Sequence, residues 1–229
     1  MLSVIIPTFN EAENIAEIIR RTQQALNPLS SGYEILIVDD ASDDGTADIA
    51  RPLLDGKGMV IRRSADARSL SLSVMDGIRA SRGDLIVVMD ADGSHPPELI
   101  PSLVKETQNG YDLAIASRYV PGGGSSGFPL IRRLGSRFAC FIGNMVTPVK
   151  DNTAGFFCIK RGAIEGVGLT PKGFKIGLEI FVKSKAKSFR EVPYIFVNRK
   201  KGKSKLKANT IWQYFCQVRD LKAYRRKRR

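Results

Sequence analysis

Through the first half of the chain, short runs of β-branched and aliphatic residues alternate with segments whose apolar positions recur every three or four residues. LSVIIP predicts a first strand, and NEAENIAEIIRRTQQAL the helix after it. Asn10 is the expected N-cap with Glu13 as its capping-box partner, and Ile15, Ile18, Ile19 and Leu26 form the buried stripe. YEILIVDD predicts a second strand, followed by an Asp/Ser/Gly turn and the helix DGTADIARPLL. MVIRR, DLIVVMD and YDLAIASRY predict three further strands, separated by the helices SLSLSVMDGIRAS and PPELIPSLVKETQN. This alternation is that of βαβ units, so the expected fold is α/β with a mostly parallel sheet flanked by helices. Past Tyr119 the regularity stops. VPGGGSSGF has the composition of a loop, and helical and strand signals then mix through Val197. KKGKSKLKAN predicts a basic loop, and TIWQYFCQVRDLKAYRRKRR a terminal amphipathic helix with a polybasic end, its stripe IWQYFCQV docking on the body. The expected division is one domain over residues 1–210 and a basic amphipathic helix and tail over 211–229.

Polar residues stand where the predicted strands end. Asn10 and Glu11 follow the first, Asp39 and Asp40 close the second, Asp90 and Asp92 the fourth, and Arg118 follows the fifth. Ligands of open α/β sheets bind outside the carboxyl ends of the strands. Carboxylates crowded on such a rim repel one another unless they hold a cation or accept from hydroxyl and base N–H groups. In an extended segment Asp90 and Asp92 point to the same side, which predicts one hard divalent ion, Mg²⁺ or Mn²⁺, bridging a diphosphate. Ser94 reads equally as a helix N-cap ahead of Pro96 or as part of the metal site. Asp39 is expected to cap its turn and Asp40 to face a ligand, and His95 to be a turn or packing residue. Glu179 reads as a solvated charge or as a residue facing the site.

The 229 residues, 43% of them hydrophobic, suffice for one α/β domain with a short appendage. The net charge of +13 favours an anionic partner: nucleic acid, an acidic membrane face or a phosphorylated substrate. Cys140, Cys158 and Cys216 lie far apart and there is one His, which argues against a disulfide framework or a zinc site and suggests a reducing compartment. MLSVIIPTFNE lacks the basic start of a signal peptide, and no apolar run approaches the roughly 18 residues of a membrane span, so a soluble or peripheral protein is expected. A nucleic-acid-binding domain would explain the charge but not the acidic strand ends, and none of its usual motifs occurs. DADGS also resembles the first motif of haloacid-dehalogenase-type phosphatases, but that motif opens its chain, whereas two βα units precede it here.

The ordered set PTFNE (7–11), VDDAS (38–42), DADGSHPPE (90–98), SRYVPGG (117–123), RRLGSR (132–137), DNTAGFFCIKR (151–161), GFKIGLEI (173–180) and KGKSKLK (201–207) resembles family 2 inverting glycosyltransferases of the GT-A type. It looks most like their polyprenyl-phosphate sugar synthases of the dolichyl-phosphate mannose synthase type. That resemblance implies transfer of a sugar, mannose from GDP-mannose before glucose from UDP-glucose, to a dolichyl or polyprenyl phosphate. It also implies that Pro7, Phe9, Glu11, Asp40, Asp90, Ala91 and Asp92 hold the nucleotide sugar, with Glu11 on the ribose and Asp40 near the base. Asp90 and Asp92 would bind Mg²⁺ or Mn²⁺ and the diphosphate, with Ser94 standing where relatives often carry a Gln ligand. Arg118, Arg132, Ser136 and Lys205 would grip the acceptor phosphate, and Asp92, Arg118 and Arg132 would carry the catalysis. The chain departs at residues 68–71, RSLS where relatives tend to have Lys-x-Gly-Leu, so Ser69 brings a Cβ into the donor loop.

A lipid acceptor implies peripheral membrane contact on a cytosolic face, through charge and an amphipathic surface or through a membrane-embedded partner chain. The basic end LKAYRRKRR is the expected electrostatic anchor.

Overall fold

The computed structural model describes residues 1–29, 32–127, 130–170, 175–197 and 208–227. The five predicted strands are β1 (Leu2–Thr8), β2 (Tyr33–Asp39), β3 (Gly58–Arg62), β4 (Leu85–Val88) and β5 (Leu113–Ser117). Between them stand α1 (Ala12–Leu26), α2 (Thr46–Leu53), α3 (Leu70–Ala80) and α4 (Ile100–Gln108). The region of mixed signals contains β6 (Gly124–Ser126), α5 (Leu130–Gly143), β7 (Phe157–Lys160), the short α6 (Arg161–Ile164), α7 (Ile176–Lys183), β8 (Phe189–Pro193) and β9 (Ile195–Val197). The terminal helix is α8 (Ala208–Arg226).

Seven strands form one sheet in the order β3-β2-β1-β4-β7-β5-β8. β1 pairs in parallel with β2 and β4, β2 with β3, and β5 with β8, whereas β7 runs antiparallel to both β4 and β5. The mostly parallel expectation therefore holds, with one inverted strand in the middle that the sequence did not announce. Successive strand residues serve opposite faces. Val4, Ile6, Ile35, Ile37 and Val87 pack with Ile15, Ile18 and Ile19 of α1 and Leu103 and Val104 of α4. Ile5, Val38, Ile86 and Val88 pack with Val74 of α3 and Ile176 and Ile180 of α7. Burial on both faces explains the near-continuous apolar runs of the central strands, and each fully buried Ile or Val contributes about 1.5–3 kcal/mol.

The start of α1 differs from expectation. Asn10 has φ 55°, in the left-handed region that Asn tolerates, and the helix begins after Glu11 without a local side-chain cap. The loop after β2 supplies the acceptors: Ala12 N–H donates to Asp44 Oδ2 at 2.9 Å and Glu11 N–H to Thr46 Oγ1 at 2.9 Å, while the Asn10 amide donates to Asp43 at 2.8 Å. A cap from a distant segment replaces the predicted capping box.

α8 docks through Tyr214, Val218 and Leu221 on Val146 and Leu178. The Tyr214 hydroxyl donates to Ala139 O at 2.8 Å, and Gln217 Nε2 to Lys175 O at 3.0 Å. The expected stripe thus splits, because Trp212 and Phe215 stay exposed.

Candidate functional site

β1, β2, β4 and β5 run the same way, so their carboxyl ends share one edge of the sheet. β7 runs against them. Its lead-in, residues 151–156, therefore arrives at that same edge and brings DNTAGF against the strand-end acids.

On the β1–β2 side, Pro7 is buried in register with Val38, and Phe9 is partly covered by the Arg68 guanidinium, 4.6 Å from the ring centroid. Glu11 accepts from Asn14 Nδ2 at 2.7 Å. Asp39 is wholly buried and accepts from the Ser42 N–H and hydroxyl and from Thr8 Oγ1, which is the turn-closing role expected of it. Asp40 is also buried, and its carboxylate is paired with Arg63, whose Nε donates to Asp76 at 2.8 Å. Arg63 went unnoticed in the sequence, where its one signal was a basic residue closing a strand that ends on the rim. Ser69 resolves the departure at RSLS: its backbone is extended, which any residue adopts, and its hydroxyl accepts the Leu72 N–H as the N-cap of α3. A Cβ there introduces no backbone strain.

Beyond β4 the segment bends instead of staying extended, with Gly93 at φ 76°. The same-side argument for Asp90 and Asp92 is corrected accordingly. Asp92 Oδ1 accepts the Ser94 N–H at 3.0 Å and the Ser94 hydroxyl at 2.6 Å, closing a tight Asx turn. Ser94 does not cap the following helix, because the single turn at Pro97–Leu99 starts from Pro96. Asp90 is half-buried with its side chain 38% exposed, whereas Asp92 and Ala91 between them are buried. The Asp90 N–H donates to His95 Nδ1 at 2.9 Å. The His95 ring stacks on Phe156 at 5.2 Å and meets Tyr194 and Phe196 edge-on, so the lone histidine is a packing residue that fixes the turn. Gly155 passes so near that a Cβ on it would stand 3.6 Å from Asp90 Oδ2.

Two carboxylates suit a hard divalent ion. Among the described residues no group of three or more His, Cys, Asp or Glu could hold a metal. An ion here would complete its shell with phosphate oxygens and water, the habit of Mg²⁺.

On the β5 side, the half-buried Arg118 packs its side chain against the fully buried Asp151. Its Nε and Nη2 donate to the two carboxylate oxygens at 2.8 and 2.7 Å, Nη2 also reaches Thr153 Oγ1 at 2.8 Å, and the Arg118 N–H donates to Asp151 at 2.9 Å. Burial works against the guanidinium charge, but the hydrogen bonds and charge of Asp151 outweigh it and hold its pKa above the usual value. Lys175, just ahead of α7, donates to Thr153 O at 3.1 Å. Burial and then the nearby Arg118 charge lower its pKa, while Asp90 and Asp151 pull the other way. Lys175 thus lies in the field of both halves of the site, and its place inside GFKIGLEI was the one available hint. The Tyr119 hydroxyl donates to Ser136 Oγ at 2.8 Å, tying the exit of β5 to α5, where Arg132 sits one turn before Ser136. Glu179 is neither solvated nor open: it is buried, pairs with Lys183 at 2.6 Å and accepts from the Thr170 N–H and hydroxyl. Lys205 and the KGKSKLK run lie outside the described residues.

An acidic pair at the end of a central strand thus stands between a Phe/Glu/Asp end and an Arg/Lys end, on the rim where open α/β sheets bind ligands. The model of glycosyl transferase family 2 matches residues 3–168, and the chain belongs to that family. It is 44% identical over 221 residues to a dolichol-phosphate mannosyltransferase of Pyrococcus furiosus, a match that takes in 95% of this chain and 62% of the archaeal protein. The chain thus spans less than two thirds of that relative's length. It is 32% identical to the dolichol-phosphate mannosyltransferase of Saccharomyces cerevisiae, covering 97% of this chain and 87% of the yeast one. The GT-A fold recurs in mannosyl-3-phosphoglycerate synthase from Rubrobacter xylanophilus, with TM-score 0.68, 18% identity and coverage of 100% and 75% of the two chains. It recurs also in glucosyl-3-phosphoglycerate synthase from Mycobacterium tuberculosis in complex with Mn²⁺, UDP and glucosyl-3-phosphoglycerate, with TM-score 0.65, 19% identity and coverage of 96% and 78%.

Proposed function

We propose that the protein transfers a sugar, mannose from GDP-mannose, to a dolichyl or other polyprenyl phosphate with inversion at the anomeric carbon, releasing the nucleoside diphosphate. The observation that carries this is the order of chemistry along one rim: Phe9, Glu11 and Asp40, then Asp90 and Asp92, then Arg118 and Lys175. The relatives named dolichol-phosphate mannosyltransferase support the choice of sugar and acceptor.

Pro7, Phe9, Glu11, Asp40, Ala91 and the carboxylate pair would line the donor subsite, with Arg63 holding Asp40 in place. Asp90 and Asp92 would hold Mg²⁺ or Mn²⁺, beside a Ser94 that shapes the turn. Once bound, the ion would neutralise charge on the departing diphosphate. An acceptor phosphate with a second pKa near ~6 is largely dianionic at neutral pH, so no strong general base is needed, in keeping with a packed His95. Its oxygen attacks the anomeric carbon as the bond to the diphosphate oxygen breaks, and the electron pair leaves with the nucleotide. The protein's task is to bring two anions together and align them. Arg132, Ser136 and Lys205 would receive the acceptor phosphate, with Arg118, oriented by Asp151, and Lys175 supplying positive charge behind it. Residues 1–210 are the proposed catalytic unit, with residues 211–229 a basic appendage docked through α8.

Among the described residues no helix is long and apolar enough to cross a membrane. Because the acceptor is a lipid, we place the protein peripherally on the cytosolic face of a membrane, alone or with a membrane-embedded partner chain. Nucleic acid is not a proposed partner.

A donor screen with a short-chain polyprenyl phosphate tests the reaction: GDP-mannose with Mg²⁺ or Mn²⁺ is expected to give mannosyl-phosphoryl lipid, and transfer from UDP-glucose alone would reassign the sugar. GDP with Mn²⁺ at about 100 times its Kd should stabilise the fold by roughly 2.7 kcal/mol in thermal melts. Single-stranded oligonucleotides should not match it; if they did, the nucleotide-sugar reading would fail. Arg132→Ala should raise the acceptor KM roughly tenfold or more and leave GDP affinity, measured by calorimetry, nearly unchanged. Equal losses in both would move Arg132 to the donor.

A further inference from the structure

Tyr194 joins β8 to β9 at the carboxyl end of β8. β8 runs parallel to β5, with Pro193 opposite Ser117, so this end lies on the same rim as Arg118 and the strand-end acids. The backbone is fixed on both sides: the Tyr194 N–H donates to Ser117 O at 3.1 Å, and its carbonyl accepts the Gly124 N–H at 3.0 Å. The ring is held as firmly. It meets His95, Phe156 and Phe196 edge-on with centroids 6.3 Å away in each case, and the residue is 6% exposed. A buried tyrosine ordinarily finds a partner for its O–H. Among the described residues none hydrogen-bonds to this one, and the one side-chain polar atom both sealed and unpartnered is Ser184 Oγ, so the Tyr194 hydroxyl keeps a face open to solvent.

The surroundings of that hydroxyl select its ligand. Burial pushes the phenol pKa up; Arg118 opposes the shift, while Asp151, Asp90 and Asp92 add to it, so the group lies in the field of both halves of the site and stays a protonated donor at neutral pH. The positive side of the rim has charge but few N–H or O–H groups to spare. Arg118 spends Nε and Nη2 on Asp151 and Thr153, the Tyr119 hydroxyl goes to Ser136, and Lys175 donates to Thr153 O. Tyr194 brings an uncommitted donor to that side. A sugar hydroxyl would gain little from the neighbouring guanidinium, whereas a phosphate oxygen accepts the O–H and is drawn by the charge as well.

We propose that the Tyr194 hydroxyl donates a hydrogen bond to the phosphate of the acceptor and so orients it between Arg118 and the acidic pair. This role rests on the transfer reaction proposed above and adds a binding residue to it. Because the hydroxyl has no partner within the described protein, Tyr194→Phe keeps the ring contacts with His95, Phe156 and Phe196 and removes the donor alone.

The test compares the full chain with Tyr194→Phe, using farnesyl phosphate as the acceptor probe and calorimetry in the presence of GDP and Mn²⁺. Loss of one hydrogen bond to a charged group should weaken farnesyl phosphate binding roughly tenfold or more and raise its KM in transfer from GDP-mannose by a similar factor. GDP affinity should be unchanged, and the variant should melt at or above the wild-type temperature. Unchanged farnesyl phosphate affinity and KM in the variant, beside an active wild type, would remove Tyr194 and leave the reaction standing. A lowered melting temperature would overturn the proposal by making the hydroxyl structural, and a loss confined to GDP-mannose would assign it to the donor. A wild type that neither binds farnesyl phosphate nor transfers sugar to it would remove the reaction and this role together.

Discussion

Asp92→Asn should reduce metal-dependent sugar transfer by about a thousandfold, roughly 4 kcal/mol of transition-state stabilisation, while the protein melts within a few degrees of wild type. The substitution is informative because of the turn in which Asp92 sits. Its Oδ1 accepts from the Ser94 N–H and hydroxyl, and an asparagine side-chain oxygen accepts the same two bonds, so the turn survives and only the charge is removed. Ser94→Ala should do much less, since the backbone N–H bond to Asp92 remains. Full activity of the asparagine variant with Mg²⁺ or Mn²⁺ would remove Asp92 from the metal site. A large fall in melting temperature would instead make it a structural residue.

Arg118→Ala should cost both stability and transfer. Asp151 is fully buried and receives the Nε and Nη2 bonds of Arg118. Without the guanidinium a buried carboxylate loses its counter-charge, which costs about 3–5 kcal/mol and lowers the melting temperature by roughly 10 °C in a chain of this size. Removing both partners, as Arg118→Met/Asp151→Leu, should recover much of the stability but not the transfer rate, because the positive charge behind the acceptor phosphate stays absent. Recovery of transfer together with stability would make the pair purely structural. GDP affinity measured on the same proteins should remain near wild type, and a parallel loss would assign Arg118 to the donor.

The sequence by itself determined what depends on neighbours along the chain. Strand and helix alternate from Leu2 to Ser117 as predicted, because period-two and period-3.6 patterns report burial locally. The acids and Arg118 at strand ends were legible for a related reason: in a parallel sheet every strand finishes on the same edge, so a polar residue closing an apolar run is already placed. The turn role of Asp39 needed only its own loop. The four-residue β7 carries too little pattern to reveal that it runs backwards between β4 and β5. Only the sheet decided that, and with it the arrival of Asp151, Thr153 and Gly155 beside Arg118 and Asp90. Contacts across long separations were equally hidden: Asp44 capping α1 from 32 positions away, Arg63 pairing with Asp40 from 23, and Asp151 holding Arg118 from 33. Nothing local distinguishes such partners from solvated charges. The periodicity of α5 is present in LIRRLGSRFACFIG, yet an apolar stripe is ordinarily assigned to the core. Only the tertiary structure, by placing Ser136, Cys140 and Gly143 inward, decided that this one faces out.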